Sequence, residues 1–235
     1  MSKRFTINNE DGSWAEYQAV FNPAAFTQPV GSGMRGDKSA RTTVVAGDKA
    51  YGQLNLPVND ASPAQMDPVC VGFFFKIASA GTWESSDSVT LVRFYNGAVE
   101  AGYLLLSNAA GVTTLHIAIK GLVGTDFYLD TQALTVGTEY YIRLVCNWTA
   151  GTMTLYIDDS ERGTATVVPA DGTKAPDRFY VGAHYTFNTP TIALDIDRFG
   201  IGDRLTDVGK RSVFSTSTRT RRPGKSYYRR LLETG

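Results

Sequence analysis

Residues 136–163, VGTEYYIRLVCNWTAGTMTLYIDDSERG, constrain the fold of this chain more than any other stretch. Read with a period of two, Tyr140, Ile142, Leu144 and Cys146 share one face, and Tyr141, Arg143, Val145 and Asn147 the other. The alternation breaks at Thr149-Ala150-Gly151 and resumes with Met153, Leu155 and Ile157 opposite Thr154, Tyr156 and Asp158. Successive side chains of a strand point to opposite faces, so two alternating runs around a short glycine-containing loop predict a β-hairpin. The second run ends in Asp158-Asp159 and Arg162-Gly163, residue types that tolerate tight turns.

The same period continues through the chain. Strands are expected at 41–45, 50–56, 89–95, 103–107, 113–119, 126–129, 165–168, 179–183 and 191–201. Residues 69–77, VCVGFFFKI, are almost continuously apolar and predict a central strand covered on both faces. Residues 57–68 read as a loop, as do 81–88, which hold an exposed or half-exposed Trp83. Residues 1–40 have apolar anchors in Trp14, Tyr17, Phe21 and Phe26, but Pro23, Pro29 and Gly31-Ser32-Gly33 interrupt any long element. An extended segment packing on the domain fits them better than a helix. About a dozen short strands, with turn signals every 8–12 residues and no amphipathic helix, predict an all-β two-sheet sandwich or barrel, and the strand count favours a large jelly roll over an immunoglobulin fold. The expected division is an N-terminal segment 1–40, a β-sandwich 41–207 and a basic arm 208–235.

Net charge is zero, with 23 basic and 23 acidic residues, but the charges are segregated. Residues 208–235 hold eight basic residues and one acidic, a net +7, which leaves 15 basic and 22 acidic in residues 1–207, a net −7. Such an arm can exchange phosphate counterions with nucleic acid, remain solvated, or order on a partner subunit. Tyr227, Tyr228, Leu231 and Leu232 interleave with Arg221, Arg222, Arg229 and Arg230, and a pure counterion tail has no need of apolar groups. These eight residues are therefore the candidate assembly anchor. No apolar run approaches the ~18 residues of a membrane span, and residues 1–6 lead into no signal-peptide core, so synthesis in a cytoplasm without export is expected. Cys70 and Cys146 sit in apolar strands without short-spaced partners, which reads as packing. Asn147-Trp148-Thr149 reads as turn sequence.

Three segments carry a resemblance. Residues 134–144, LTVGTEYYIRL, are similar to a G-x-W-Y-H-V strand, and residues 151–159, GTMTLYIDD, to a G-x-x-x-L-Y-V-D-G strand and turn. Residues 179–183 with 193–201, FYVGA and ALDIDRFGI, are similar to an I-G … G-x-I-D-x-V-R-I close. In this order they resemble the concanavalin A-like lectin/glucanase superfamily, in particular its laminin-G-like branch. Two departures stand out: Thr138-Glu139 where an aromatic is usual, and Asp159 in place of the turn glycine. Asp adopts the left-handed conformation at modest cost, so the hairpin is expected to survive. The resemblance implies a jelly-roll fold built as a curved sandwich of two antiparallel sheets, whose concave face is available to glycans in many members. The superfamily also holds hydrolases and structural modules, so fold does not choose among them.

Hydrolases of this superfamily pair carboxylates as E-x-D-x-x-E on one strand. The nearest match is Asp195-Ile196-Asp197, followed by Arg198-Phe199-Gly200 with no third carboxylate. Asp197 is expected instead to close the domain by accepting backbone amides of a neighbouring loop. His116 and His184 have no nucleophile or ligand cluster beside them in sequence. Calcium recurs in laminin-G-like domains, but Asp11, Asp158, Asp159 and Asp203 form no ligand-spaced loop, so no metal or cofactor is expected. Trp83, Tyr95, Asn96, Tyr103 and Tyr185 are the candidate contacts for a glycan or a protein partner. The resulting expectation is a non-enzymatic interaction module on a larger assembly. A phage virion component fits it: a capsid decoration, fibre or tail-associated protein held by its C-terminal arm. A glycan-binding, lectin-like protein is the alternative, and a glycoside hydrolase the third reading. Expected partners are other protein subunits, surface glycans, and nucleic acid through the arm, with no membrane.

Overall fold

A computed structural model of the chain describes residues 4–7, 17–29, 31, 33–34, 38–45, 48–55, 67–121, 124–168 and 176–203. Among the described residues there are strands and no helix. In chain order they are β1 (Arg4–Ile7), β2 (Ala19–Phe21), β3 (Phe26–Thr27), β4 (Ala40–Val44), β5 (Ala50–Asn55), β6 (Val69–Ala80), β7 (Ser88–Asn96) and β8 (Val99–Ala109). There follow β9 (Val112–Gly121), β10 (Gly124–Leu129), β11 (Glu139–Asn147), β12 (Thr152–Ile157), β13 (Ser160–Thr166), β14 (Arg178–Phe187) and β15 (Ile192–Gly202). They form two antiparallel sheets stacked as a jelly-roll sandwich. One sheet has eight strands in the order β13-β12-β11-β6-β15-β4-β3, with β1 also on β15, and the other seven, in the order β10-β9-β8-β7-β14-β5-β2.

The hairpin forms as its alternation requires. Leu144 lies opposite Leu155 and Cys146 opposite Met153, and all four are buried between the sheets. Gly151 takes φ +67° in the first turn, and Asp158 and Asp159 take +51° and +69° in the second. Asp159 thus occupies the left-handed position of the missing glycine without loss of the turn. β6 is central, flanked by β11 and β15. Its Phe73 and Phe75 enter the main core, whereas Phe74 packs on the outer face with Tyr141 and Met34.

Two features differ from simple alternation. Trp148, read as turn sequence, is buried, its ring 6.0 Å from that of Phe94. The turn is held beneath it by the Asp67 carboxylate, which accepts the backbone N–H of Trp148 at 2.8 Å and of Thr149 at 3.0 Å. Arg143, on the polar face of the hairpin, is also buried. Its guanidinium lies 5.0 Å from the Tyr156 ring and 6.0 Å from the Tyr141 ring, and it pairs with Asp159 at 3.0 Å. A guanidinium can be covered this way because ring faces and a carboxylate replace part of its water shell.

Cys70 and Cys146 are buried thiols not joined in a disulfide, and they project to opposite faces of adjacent strands, since Cys70 pairs with Val145 and Cys146 with Val69. Burial pushes the Cys146 thiol well above its ordinary value, so it stays protonated and acts as packing. The described parts of residues 1–40 add β1, β2 and β3 to the sheets, with Tyr17 and Phe26 in the core. Trp14 and the basic arm, Arg221, Arg222, Tyr227, Tyr228, Arg229, Arg230, Leu231 and Leu232, lie outside the described residues.

Candidate functional site

Asp195 and Asp197 share the outer face of β15, and both are fully buried. Arg41 donates to Asp195 through Nε at 2.7 Å and Nη2 at 2.8 Å, and Lys76 Nζ lies 3.4 Å from Oδ2. This hydrogen bond and the carboxylate's charge hold the Arg41 guanidinium above its ordinary pKa against the effect of burial. Asp197 accepts the backbone N–H of Met34 at 2.9 Å, the loop-closing role expected of it. A glycoside hydrolase needs one carboxyl to donate a proton and another to attack or activate water at an open cleft. This pair is spent on cross-strand and loop bonding beneath the surface.

The outer face of the seven-stranded sheet is different. Tyr51 of β5, Tyr180 and His184 of β14 and Tyr95 of β7 all project from it, while their neighbours Leu54, Phe179, Val181 and Phe94 enter the core. Tyr51 lies opposite Gly182, which carries no side chain, so its ring reaches Tyr180 at 5.1 Å and His184 at 4.5 Å. The Tyr180 and His184 rings stack at 4.4 Å, 5° from parallel, and Phe21 of β2 stacks on Tyr51 at 4.5 Å. Gly182 sits at φ +111°, and a Cβ there would come within 2.9 Å of the Ala50 carbonyl oxygen, so glycine is required at this irregular step of the sheet.

Beside this cluster runs a charged row. Arg93 of β7 pairs with Glu100 of β8, whose other oxygen takes Lys120 of β9 at 2.6 Å. Arg93 also bonds His184 Nδ1 at 3.0 Å, which requires Nδ1 to be the unprotonated nitrogen of a neutral ring. Burial first, then the charges of Arg93 and Lys49, lower the His184 pKa to about 4. Burial raises the Tyr51, Tyr95 and Tyr103 phenols, which therefore remain neutral donors at physiological pH.

An open groove of about 350 Å³ lies on this face. It is lined by Tyr103, Leu105 and an exposed Phe187, by the charged Arg93, Glu100 and Lys120, and by Ser88, Thr90 and Thr125, which add hydroxyls. Farther along, Phe127 and Leu129 of the edge strand β10 project into solvent, with Phe127 6.4 Å from Tyr103.

The structure brings Tyr95 and Tyr103 to this one surface, with Asn96 at the end of β7 beside it. Tyr185 lies in β14 opposite Thr90, and its side chain is outside the described residues. Trp83 is elsewhere: it is half-buried, packs against the core and donates its Nε1–H to Thr113 at 2.8 Å, so it is a structural residue of its loop. Sequence reasoning missed Arg93, Glu100, Lys120, Tyr51, Tyr180 and Phe187. Their alternation marks them as outward-facing, but only pairing between distant strands makes them neighbours. His184 was named, without its aromatic setting. His116 Nε2 meets the Ser107 and Thr114 hydroxyls at 2.8 and 2.9 Å, and burial lowers its pKa.

Among the described residues no group of three or more His, Cys, Asp or Glu side chains is placed to hold a metal ion. Asp158 accepts the backbone N–H of Tyr141 at 3.0 Å and Asp159 pairs with Arg143, so both serve the hairpin turn. Asp203 follows β15, and Asp11 lies outside the described residues. No helix is long and apolar enough to cross a membrane among the described residues.

No protein-family model matches the sequence, and no curated protein matches it. Solved structures share its fold. The receptor-binding domain of botulinum neurotoxin D superposes with a TM-score of 0.53 at 15% identity, over 85% of this chain and 48% of that one. A structure of botulinum neurotoxin type C, a toxin described as interacting with two ganglioside molecules, gives 0.53 at 11% identity, over 86% and 43%. A sialidase gives 0.52 at 13% identity, over 80% of this chain and 17% of that one. The chain thus spans less than half the length of each of these structures, and the likeness is one of fold.

Proposed function

We propose that this chain is a non-enzymatic, lectin-like binding module that takes a glycan on the outer face of its seven-stranded sheet. The observation that carries the reading is the groove lined by the aromatic rings of Tyr103 and Phe187 together with the charged Arg93, Glu100 and Lys120. Aromatic ring faces stack on the apolar C–H faces of sugars, while charged and hydroxyl groups exchange hydrogen bonds with sugar hydroxyls. Glu100 is held between Arg93 and Lys120, so the charged lining is set before a ligand arrives, which lowers the ordering cost of binding. The burial of Asp195 and Asp197 favours binding over hydrolysis. The type C toxin's interaction with gangliosides shows that a protein containing this fold can engage glycans, and so supports the reading by analogy.

The test is a glycan array probed with the wild type and Tyr103→Ala. Binding of a glycan set that the substitution removes is the expected result. Absence of any glycan binding, or binding that Tyr103→Ala leaves intact, overturns it.

We further place the module on a larger assembly such as a phage virion, with residues 208–235 as its attachment arm. The support is the charge layout, +7 in the arm against −7 in the rest, with Tyr227, Tyr228, Leu231 and Leu232 among the arginines. Replacing those four with Ser, which leaves every charge in place, is expected to abolish attachment to the particle. Normal attachment of that variant, together with stripping of the wild type by moderate salt, would make the arm a nucleic-acid tether instead.

A further inference from the structure

We infer, resting on the glycan-binding reading above, that the glycan in this groove is an anionic oligosaccharide carrying carboxylate or sulfate groups, which Lys120 and Arg178 meet. Residues 1–207 carry a net −7, yet this sheet face runs against that balance. Arg93, Lys120 and Arg178 stand on or beside it against the carboxylates of Glu100 and Asp177. Both carboxylates are committed within the fold. Glu100 spends one oxygen on Arg93 and the other on Lys120, and Asp177 accepts the backbone N–H of Gly97 at 3.1 Å.

The cations are not equally committed. The Lys120 side chain is 40% exposed and its ammonium has three donors, of which the contact with Glu100 at 2.6 Å takes one. Arg178 has five donors, and its side-chain bond is to the Tyr180 hydroxyl at 3.4 Å, with no ion pair among the described residues.

Lys120 on β9 and Arg178 on β14 are three strands apart, about 14 Å at the usual strand spacing. Tyr95 and Tyr103 lie on the strands between them. A chain of sugars crossing the strands can therefore stack on the rings and place an anionic group at each cation. A neutral sugar would leave the spare donors of Lys120 and Arg178 to water.

The test uses calorimetric titration of the full-length protein with four probes: an oligogalacturonate, sialyllactose, a heparin-derived oligosaccharide and a neutral cello-oligosaccharide. At least one acidic probe is expected to bind about tenfold or more tightly than the neutral one, with affinity falling as salt is raised. Lys120→Gln and Arg178→Gln should each weaken it by about three- to tenfold, since each removes one partly exposed charge-assisted bond. Replacing Arg221, Arg222, Arg229 and Arg230 together with Gln should leave it unchanged. If neutral and acidic probes bind alike and still need Tyr103, the inference fails while the glycan-binding reading stands. If acidic binding disappears only when the arm arginines are replaced, the charge preference belongs to the arm, and the inference likewise fails. If no oligosaccharide binds, both fall.

Discussion

Replacing Asp195 with Asn separates a structural carboxylate from a catalytic one. The wild-type side chain is fully buried and accepts two charge-assisted bonds from Arg41, at 2.7 and 2.8 Å, with Lys76 at 3.4 Å. Removing one partner of a fully buried ion pair costs about 3–5 kcal/mol, because the remaining charge is left uncompensated. Here the Arg41 and Lys76 side chains are 29% and 23% exposed, so both cations regain some water, and Asn keeps one acceptor for the guanidinium. The expected loss is therefore about 2–3 kcal/mol, measured as a shift in the urea midpoint at pH 7 without a change in slope. Because the carboxylate is out of solvent, most of that loss should persist at high salt. A loss below about 1 kcal/mol, or one that vanishes in salt, would refute the argument that this pair braces β15 against β4 and β6. Wild-type turnover of a β-glucan that Asp195→Asn with Asp197→Asn abolishes would refute the non-enzymatic reading itself.

Leu144→Ala or Leu155→Ala should open a cavity between the sheets and cost about 2–5 kcal/mol, whereas Thr154→Ala loses only its exposed bond to Thr164 and should cost under about 1 kcal/mol in the same unfolding assay. His184 is neutral in the fold, with a pKa of about 4 against an ordinary 6.5, so the unfolded chain binds the extra proton between those values. Its contribution to stability is complete above pH 6.5 and is lost as pH falls towards 4. The gap corresponds to at most ~3.4 kcal/mol, and to about 1–2 kcal/mol after allowing for a partly exposed ring. Wild type should therefore lose more stability than His184→Gln between pH 6.5 and pH 4; parallel curves would count against it. Gly182→Ala should cost about 1–3 kcal/mol, since alanine at φ +111° is strained and its methyl meets the Ala50 carbonyl and the Thr42 hydroxyl at 2.9 Å; an unchanged melting temperature would refute that.

The sandwich was legible because its signal is local. The period of two in residues 136–163 specifies which side chains of β11 and β12 enter the core, and the apolar run 69–77 marks the central strand. The groove was legible only in fragments. Tyr95 and Tyr103 stood out as aromatics near turns, but Arg93, Glu100 and Lys120 read as ordinary polar residues on three strands. Register makes them a unit: Arg93 falls opposite Tyr103 and Tyr180, and Tyr103 opposite Ala118. Trp148 misled for the opposite reason. Its neighbours Asn147, Thr149 and Gly151 form the turn, and nothing in the sequence shows that Asp67 will hold that turn so as to drive the indole inward.

Among the described residues the two outer faces of the sandwich differ in what packs on them, and that difference favours the seven-stranded face for the proposed binding. On the eight-stranded sheet, Met34 packs over Phe74 and Tyr141, Arg143 is enclosed by two tyrosines and Asp159, and Asp195 and Asp197 are bonded to Arg41, Lys76 and the Met34 amide. A ligand approaching that face would have to displace bonds the fold already uses, at a cost of several kcal/mol for each buried charge left without its partner. On the seven-stranded sheet, among the described residues, the aromatic rings pack edge and face on one another and stay partly exposed, and the ion row of Arg93, Glu100 and Lys120 lines the groove beside them. A ligand there displaces mainly water from apolar rings and meets groups already held in place. That is the arrangement in which binding free energy is not spent on rearranging the protein.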